Sequence, residues 1–391
     1  ASDNTAVGSA ALGANTSGTD NTGLGRGAGN AVTTGDDNTL VGDNAGGNIT
    51  TSSGHTAVGS GALGTISTGT TGTAVGYLAL NAATGNNNTA VGYGAGKLVS
   101  TGTENTLMGN AAGDAVTTGA DNTFLGSSAG GGTTTANNNV AIGSSALLAN
   151  STGANNVAVG LSALTANTTA SNNVAVGHLS LTANTTGTDN VAVGYQAGTA
   201  VTTGINNTFV GDDAGQAVTT SAQNTAVGAD ALKETSTGAN NTAVGKGALA
   251  ANTTADDNTA VGQNALFANT TGTDNTGLGF QAGDAVSTGS DNTFVGDNAG
   301  GAVTTASGHT AVGSSALLTM STGTTGTAVG FEALTLATGN NNTGVGYQAG
   351  AAVSTGTENT VVGNAAGDAV TTGADNTFVG DNAGGAVTTA S

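Results

Sequence analysis

Short apolar segments recur along the chain at a nearly constant spacing. NNVAVG stands at residues 155–160 and again at 172–177, and DNVAVG stands at 189–194. Aligning such segments, with Asn156 as position 1 of its copy, gives 23 copies that lie 17 residues apart except for two 16-residue steps. The consensus is N-[TV]-A-V-G-x-x-A-[LG]-x-x-[NV]-T-T-G-x-[DN]; position 4 is always aliphatic or Met, position 5 is always Gly, and position 8 is Ala except at Ser180. The chain is therefore a tandem array with a fixed frame.

This repeat predicts an all-β fold, a parallel β-solenoid with 23 coils. A unit of 17 residues is too short for a pair of helices, and its Thr, Val, Gly and Asn content favours strands and turns. Positions 2 to 4 are expected to form a strand, the Gly at position 5 a turn, and T-T-G-x-[DN] the return to the next coil. Strands stacked about 4.8 Å apart would make residues 1–391 one continuous rod on the order of 110 Å long.

Strand alternation assigns positions 2 and 4 to one face, and we expect that face to be the interior of the solenoid. Position 3 then points outward, although it is never charged. Its bulk varies with position 9: Phe124, Phe209, Phe294 and Phe378 all occur in copies that have Gly at position 9, whereas copies with Leu there have Ala at position 3. Such compensation indicates that positions 3, 9 and 12 share one packed region, expected here outside the coil. A second copy of the chain would cover that region, which predicts a homo-oligomer.

Asn occupies position 1 in 19 of the 23 copies. Regularly stacked amides can hydrogen-bond from coil to coil, so these Asn residues are expected to form a structural ladder rather than a binding site. His55 and His309 replace Asn at equivalent places 254 residues apart. They are therefore interpreted as duplicates of one another and not as metal ligands.

Composition excludes several classes of protein. The chain has no Pro, Cys or Trp, and only 7% of its residues are charged, whereas 37% are hydrophobic. No apolar run is long enough to span a membrane, and the absence of Cys removes disulfides and thiolate metal sites.

The first and last copies lack the polar coils that usually cap a solenoid, so we expect a segment of a longer fibre.

The charge is one-sided, with 24 acidic residues against 4 basic ones. Nucleic acid and anionic membranes are therefore excluded as expected partners. Asp257, Asp274 and Asp291 occupy position 17 of successive copies and should repel one another unless they are solvated or bridged by a cation such as calcium. The solvated turn is preferred, so no cofactor and no metal site are predicted, with calcium as the alternative.

Catalytic chemistry is not expected. An active site needs unlike groups brought together, and this chain offers three His, of which two are duplicates and the third, His178, stands alone. Neither a nucleophile elbow nor an insertion that breaks the repeat is present. The protein is therefore predicted not to be an enzyme, with no catalytic residue and no cofactor-binding residue assigned.

NNNVAIGSSALLAN at 137–150 resembles the repeat of the YadA-like head of trimeric autotransporter adhesins, and DNVAVGYQAG at 189–198 is similar to arrays in phage tail-fibre-like proteins. The resemblance covers the whole chain as repeats, although the repeat here is longer than is typical of that family. It implies a left-handed β-roll, three chains around one axis, and an extracellular location on a cell surface or virion, where the head binds a host or matrix surface.

These observations predict a non-enzymatic structural or adhesive fibre, a stiff rod or adhesin head without membrane insertion. The oligomer is expected to be a trimer; a dimer or an end-to-end filament is left open. One alternative function is an ice-binding solenoid that uses the Thr columns at positions 13 and 14, and another is a phage tail-fibre shaft.

Overall fold

The computed structural model describes residues 1–66, 72–321, 323 and 325–389. Two compact units, 1–193 and 194–391, make up the chain. Parts of the predicted duplicates at 53–76 and 307–330, namely residues 67–71, 322 and 324, lie outside the described residues. Throughout the described ranges the only regular elements are three-residue strands joined by turns, and no helix is present.

The strands of the first unit occupy positions 2 to 4 of its copies. They are β1 (Thr5–Val7), β2 (Thr22–Leu24), β3 (Thr39–Val41), β4 (Thr56–Val58), β5 (Thr73–Val75), β6 (Thr89–Val91), β7 (Thr106–Met108), β8 (Thr123–Leu125), β9 (Val140–Ile142), β10 (Val157–Val159), β11 (Val174–Val176) and β12 (Val191–Val193). Within this unit, consecutive strands from β1 to β12 pair in parallel.

The second unit repeats this arrangement. Its strands are β13 (Thr208–Val210), β14 (Thr225–Val227), β15 (Thr242–Val244), β16 (Thr259–Val261), β17 (Thr276–Leu278), β18 (Thr293–Val295), β19 (Thr310–Val312), β20 (Thr327–Val329), β21 (Thr343–Val345), β22 (Thr360–Val362) and β23 (Thr377–Val379). Consecutive strands again pair in parallel, and residues one repeat apart are partners. The predicted all-β parallel β-solenoid is confirmed.

The side of the strand that faces the core differs from the expectation. Position 3 is buried in every strand except β1 and β23, as at Ala158 and Phe124, whereas positions 2 and 4 are half-buried or exposed. The prediction that positions 2 and 4 form the interior, with positions 3, 9 and 12 packed outside the coil, is therefore wrong. The reason is that the turn brings positions 8 and 9 back over position 3: a Cβ placed on Gly23 would lie 3.1 Å from the carbonyl oxygen of Ala28 and 2.9 Å from Cγ of Leu12. The coil therefore closes around that side of the strand.

The compensation between positions 3 and 9 is real, but it takes place inside the coil. A Cβ placed on Gly130 would lie 2.5 Å from Cδ2 of Phe124, so the ring already fills the space above that glycine. In the next coil Ala141 leaves this space open, and the fully buried Leu147 occupies it. Where both positions are Gly, neighbouring coils fill the space instead: a Cβ placed on Gly29 would lie 2.9 Å from Cδ2 of Leu12 and 2.6 Å from Cδ1 of Leu40. The interior is thus kept filled, as close packing requires.

The invariant glycine at position 5 follows from backbone geometry. Gly8 has a φ of 129° and Gly126 has a φ of 141°, a conformation that side chains disfavour. A Cβ on Gly126 would also lie 2.5 Å from the carbonyl oxygen of Gly143 in the next coil. Both the turn and the close stacking of coils therefore exclude any other residue.

The predicted Asn ladder is confirmed and is buried. The Asn156 amide nitrogen donates to the carbonyl of Ala170 at 2.9 Å, which closes its own coil, and its Oδ1 accepts the backbone N–H of Asn173 at 3.0 Å. Asn156 also donates Nδ2 to Oδ1 of Asn139 in the preceding coil at 3.2 Å. Each amide thereby satisfies backbone groups that water cannot reach.

His309 performs the same task as the Asn it replaces. Its Nδ1 accepts the Gly326 N–H at 2.8 Å, its Nε2 lies 3.0 Å from the Gly323 carbonyl oxygen, and the residue is fully buried. His55 likewise accepts the Gly72 N–H through Nδ1 at 3.0 Å. Each histidine accepts a backbone N–H through Nδ1, in accord with their interpretation as duplicated structural residues.

Candidate functional site

The outward strand face, formed by the side chains at positions 2 and 4, is the most regular exposed surface of each unit. Position 2 is Thr in 19 copies and Val in 4, and position 4 is aliphatic or Met. Leu125 is 46% exposed and Ile142 36% exposed, although both are large apolar side chains. Because neighbouring strands are in register, these side chains form two parallel columns.

The most apolar part of this face lies on β9 to β12. There both columns are aliphatic, and the eight side chains are those of Val140, Ile142, Val157, Val159, Val174, Val176, Val191 and Val193. We call these eight residues the aliphatic stripe. With strands spaced about 4.8 Å apart, the stripe is about 14 Å long. Six of its side chains are half-buried, and Ile142 and Val193 are 36% exposed, so the stripe is a small continuous apolar surface.

The threonine columns at positions 13 and 14 differ in what their hydroxyl groups can do. At position 13 the hydroxyl donates to the backbone carbonyl of the next coil, as from Thr168 to Thr185 at 3.1 Å and from Thr253 to Thr270 at 2.9 Å. At position 14 the side chain is exposed, as at Thr169. Only one of the two columns proposed for ordering water therefore has its hydroxyl groups available on the surface.

Two exposed aromatic pairs stand at position 6, and sequence reasoning missed them. Tyr77 and Tyr93 stack with ring centroids 5.3 Å apart, and Phe331 and Tyr347 stack at 5.4 Å. Each pair spans one of the two 16-residue steps. The available sequence clue was that the aromatics not found at position 3 concentrate at position 6, on the rim of the turn.

The acidic turn at position 17 is explained by backbone conformation. Asp257, Asp274 and Asp291 are exposed and have φ values of 61°, 58° and 58°. Asp and Asn tolerate this left-handed conformation better than most residues, which accounts for their recurrence there. Among the described residues, no group of three or more His, Cys, Asp or Glu side chains is arranged to hold a metal ion.

Other titratable residues lie elsewhere in the two units. His178 is exposed at position 6, while burial of His309 lowers the pKa of its imidazole. Arg26 forms an exposed ion pair with Asp43 at 2.9 Å, and Lys233 lies between Asp213 and Asp230. In the described ranges no helix is long and apolar enough to cross a bilayer.

Neither protein-family models nor curated proteins give a match to this chain. Among the exposed surfaces, the outward strand face recurs in every coil, and it is the feature that the proposed function must explain.

Proposed function

We infer that this protein is a non-enzymatic structural and adhesive fibre, located outside the cell on a cell surface or virion. Its chains assemble with one another, three to an assembly, through the outward strand face. The observation that carries this proposal is the aliphatic stripe on β9 to β12. The resemblance to YadA-like heads adds the trimer and the left-handed coil to the proposal.

The residues that support assembly are not those that the repeat pattern pointed to. Position 3 is covered by its own coil, so it offers nothing to a partner. Positions 2 and 4 replace it as the contact surface. On β9 to β12, where both outward columns are aliphatic and the coil's own core lies on the other side, a partner on the outward face would bury an apolar strand on both sides.

Burial of the aliphatic stripe supplies a free energy comparable with the lower part of the cost of association. No more than about a third of each side chain in the aliphatic stripe is exposed, so its burial contributes about 0.5–1 kcal/mol, and the eight side chains together contribute roughly 4–8 kcal/mol. Association costs about 4–15 kcal/mol in lost freedom of motion. The Thr and aliphatic columns of the other coils add to the favourable side.

The role of such an assembly is mechanical. Backbone hydrogen bonds between coils and the buried Asn ladder hold the coils together, and the repeated surface can present many weak contacts to a host or matrix surface at once. A net charge of −20 favours solubility and disfavours nucleic acid or anionic lipid as partners.

The test is the mass of the assembly, measured by analytical ultracentrifugation of the chain, whose protomer mass is 36.3 kDa. Val157→Lys combined with Val174→Lys places two charges in the aliphatic stripe. The matched control combines Thr169→Lys and Thr186→Lys, which add the same charges at exposed position 14 of the same coils. Circular dichroism checks that both variants keep the β-solenoid.

We expect the parent and the control to sediment as trimers and the stripe variant as monomers. A parent that is monomeric at micromolar concentration, or a stripe variant that assembles as the parent does, would overturn the proposal. A monomeric parent would favour the ice-binding alternative, in which the exposed Thr column at position 14 orders water, as at Thr169. Thermal hysteresis of ice growth, measured on the same sample, tests that alternative.

A further inference from the structure

A recess of about 330 Å³ opens on the turn side of the second unit. It exists because position 7 is Gly247 and position 10 is Ala250 in one coil, while the coils on either side carry Lys233 and Phe267 at position 10. Two small residues between long ones leave a gap one coil wide. The volume is at the lower end of that of small-molecule sites, and it suits a single ring.

One wall of the recess is aromatic. Phe267 is 45% exposed, and a Cβ placed on Gly247 would lie 3.5 Å from Cδ2 and 3.6 Å from Cε2 of its ring. The ring therefore borders the floor instead of packing into the core. The face of an aromatic ring is electron-rich and attracts the weakly positive C–H groups of a flat, partly apolar ligand.

The other lining groups are polar and balanced in charge. Lys233 and Lys246 supply two positive charges, and Asp230 and Glu234 supply two negative ones. Lys233 is held by Asp230 at 2.8 Å, and it also contacts Asp213 at 3.1 Å. A lining with no net charge, in a chain of net charge −20, disfavours anions. Hydroxyl groups can both donate to the carboxylates and accept from the ammonium groups.

We propose that this recess binds a neutral hexopyranose unit of a glycan, with the C–H face of the sugar on Phe267 and its hydroxyls on Asp230 and Lys246. The site deepens the adhesive part of the proposed function, on which its biological meaning rests. A ring of this size with one stacking partner is expected to bind with a Kd of about 1 mM. Useful affinity would come from repetition in an assembly.

A second recess in the first unit provides a comparison. It has a volume of about 260 Å³, and it also forms where position 10 is small, at Gly47 and Gly64. Its polar lining is amide, from residues such as Asn44 and Asn48, and it includes no aromatic or charged side chain. Binding that depends on an aromatic wall should therefore be confined to the recess beside Phe267.

The experiment is a saturation-transfer NMR titration of the full chain with methyl β-glucopyranoside, methyl β-galactopyranoside and methyl β-glucuronide. Phe267→Thr removes the wall, and Ala250→Leu fills the floor. Thr and Leu occur at position 10 of other coils, as at Thr165 and Leu148. The matched control is Phe280→Thr, which removes an aromatic that is also 45% exposed but lies outside the recess. Circular dichroism verifies folding of every variant.

At least one neutral glycoside is expected to bind, and Phe267→Thr and Ala250→Leu should weaken it about tenfold or more while Phe280→Thr changes affinity less than about twofold. The glucuronide should bind more weakly than the neutral sugars. The inference is overturned by absence of binding at about 20 mM sugar, by equal loss in Phe280→Thr, or by preference for the glucuronide. Because the recess lies within one chain, loss of sugar binding with an intact oligomer refutes only this site, and a monomer that binds sugar refutes only the assembly.

Discussion

The packing between positions 3 and 9 makes a sharp prediction in the coil of β8. Phe124 is fully buried, and its ring occupies the space above Gly130. Phe124→Ala empties that space and should cost about 3–5 kcal/mol in free energy of unfolding. Gly130→Leu alone inserts a side chain where the ring stands and should cost about 1–3 kcal/mol or more.

The double variant, Phe124→Ala with Gly130→Leu, should be far more stable than the two single costs imply. It reproduces the pair found in the next coil, where position 3 is Ala141 and position 9 is Leu147. Leu147 has a φ of 54°, so a leucine can adopt the left-handed conformation at position 9. The remaining cost should be about 1–2 kcal/mol, mainly from the left-handed leucine. The coupling energy between the two sites is then about 2–7 kcal/mol in the stabilising direction.

The measurement is hydrogen exchange of the backbone amides of residues 123–147, because a repeat protein can open locally without global unfolding. Protection should fall in each single variant and return in the double variant, independently of protein concentration. If the double variant were no better protected than Phe124→Ala, or if the changes appeared only in the oligomer mass, interior compensation would be refuted.

Three further predictions follow from buried polar groups. Thr133 is buried and its hydroxyl has no hydrogen-bond partner in the described structure, so Thr133→Val should stabilise the fold by about 1 kcal/mol in urea denaturation. Thr235→Val should destabilise the fold, because the Thr235 hydroxyl accepts a hydrogen bond from the Asn252 amide at 3.3 Å. Burial lowers the pKa of His309, so its contribution to stability is fully present above its ordinary pKa of about 6.5 and falls as the pH drops below that, because the unfolded state takes up the proton first. His309→Asn should remove this contribution to the difference between thermal melts at about pH 7.5 and pH 5. Asn156→Ala leaves the buried N–H of Asn173 and the buried carbonyl of Ala170 without this partner and should cost about 2–4 kcal/mol of stability in thermal melts. Asn155→Asp, at the adjacent exposed turn, should change stability by less than about 0.5 kcal/mol. Equal effects of the two variants would contradict the ladder.

Sequence reasoning failed at the inward face of the strand for a physical reason. In a three-residue strand, alternation shows that positions 2 and 4 share a face but not which face is inside. Both faces are apolar here, as Val157 and Ala158 illustrate. The polar Thr at position 2, present in 19 copies, was the clue that this side meets solvent. Because the turn folds back over position 3, that position faces the core and positions 2 and 4 face outward.

The recess beside Phe267 was equally hidden from the repeat pattern. Positions 7 and 10 vary from copy to copy and look like unconstrained loop residues in a single coil. Only stacking places the small Ala250 between Lys233 and Phe267, so that the gap acquires walls. Its origin is a difference between three neighbouring coils rather than a motif within one.

Periodicity alone was enough to establish that each copy is one coil, that Gly8 and its equivalents make the turn, and that Asn156 and its equivalents stack, because a constant spacing forces equal residues into equal surroundings. Periodicity does not decide which side of the strand faces into the coil. Which apolar side chains a coil encloses and which it leaves outward depends on the path of the turn, and that path is set by packing among residues distant in the repeat. The buried Phe124 and the exposed Ile142 are both apolar strand residues, and closure of the coil around one side of the strand is what separates them.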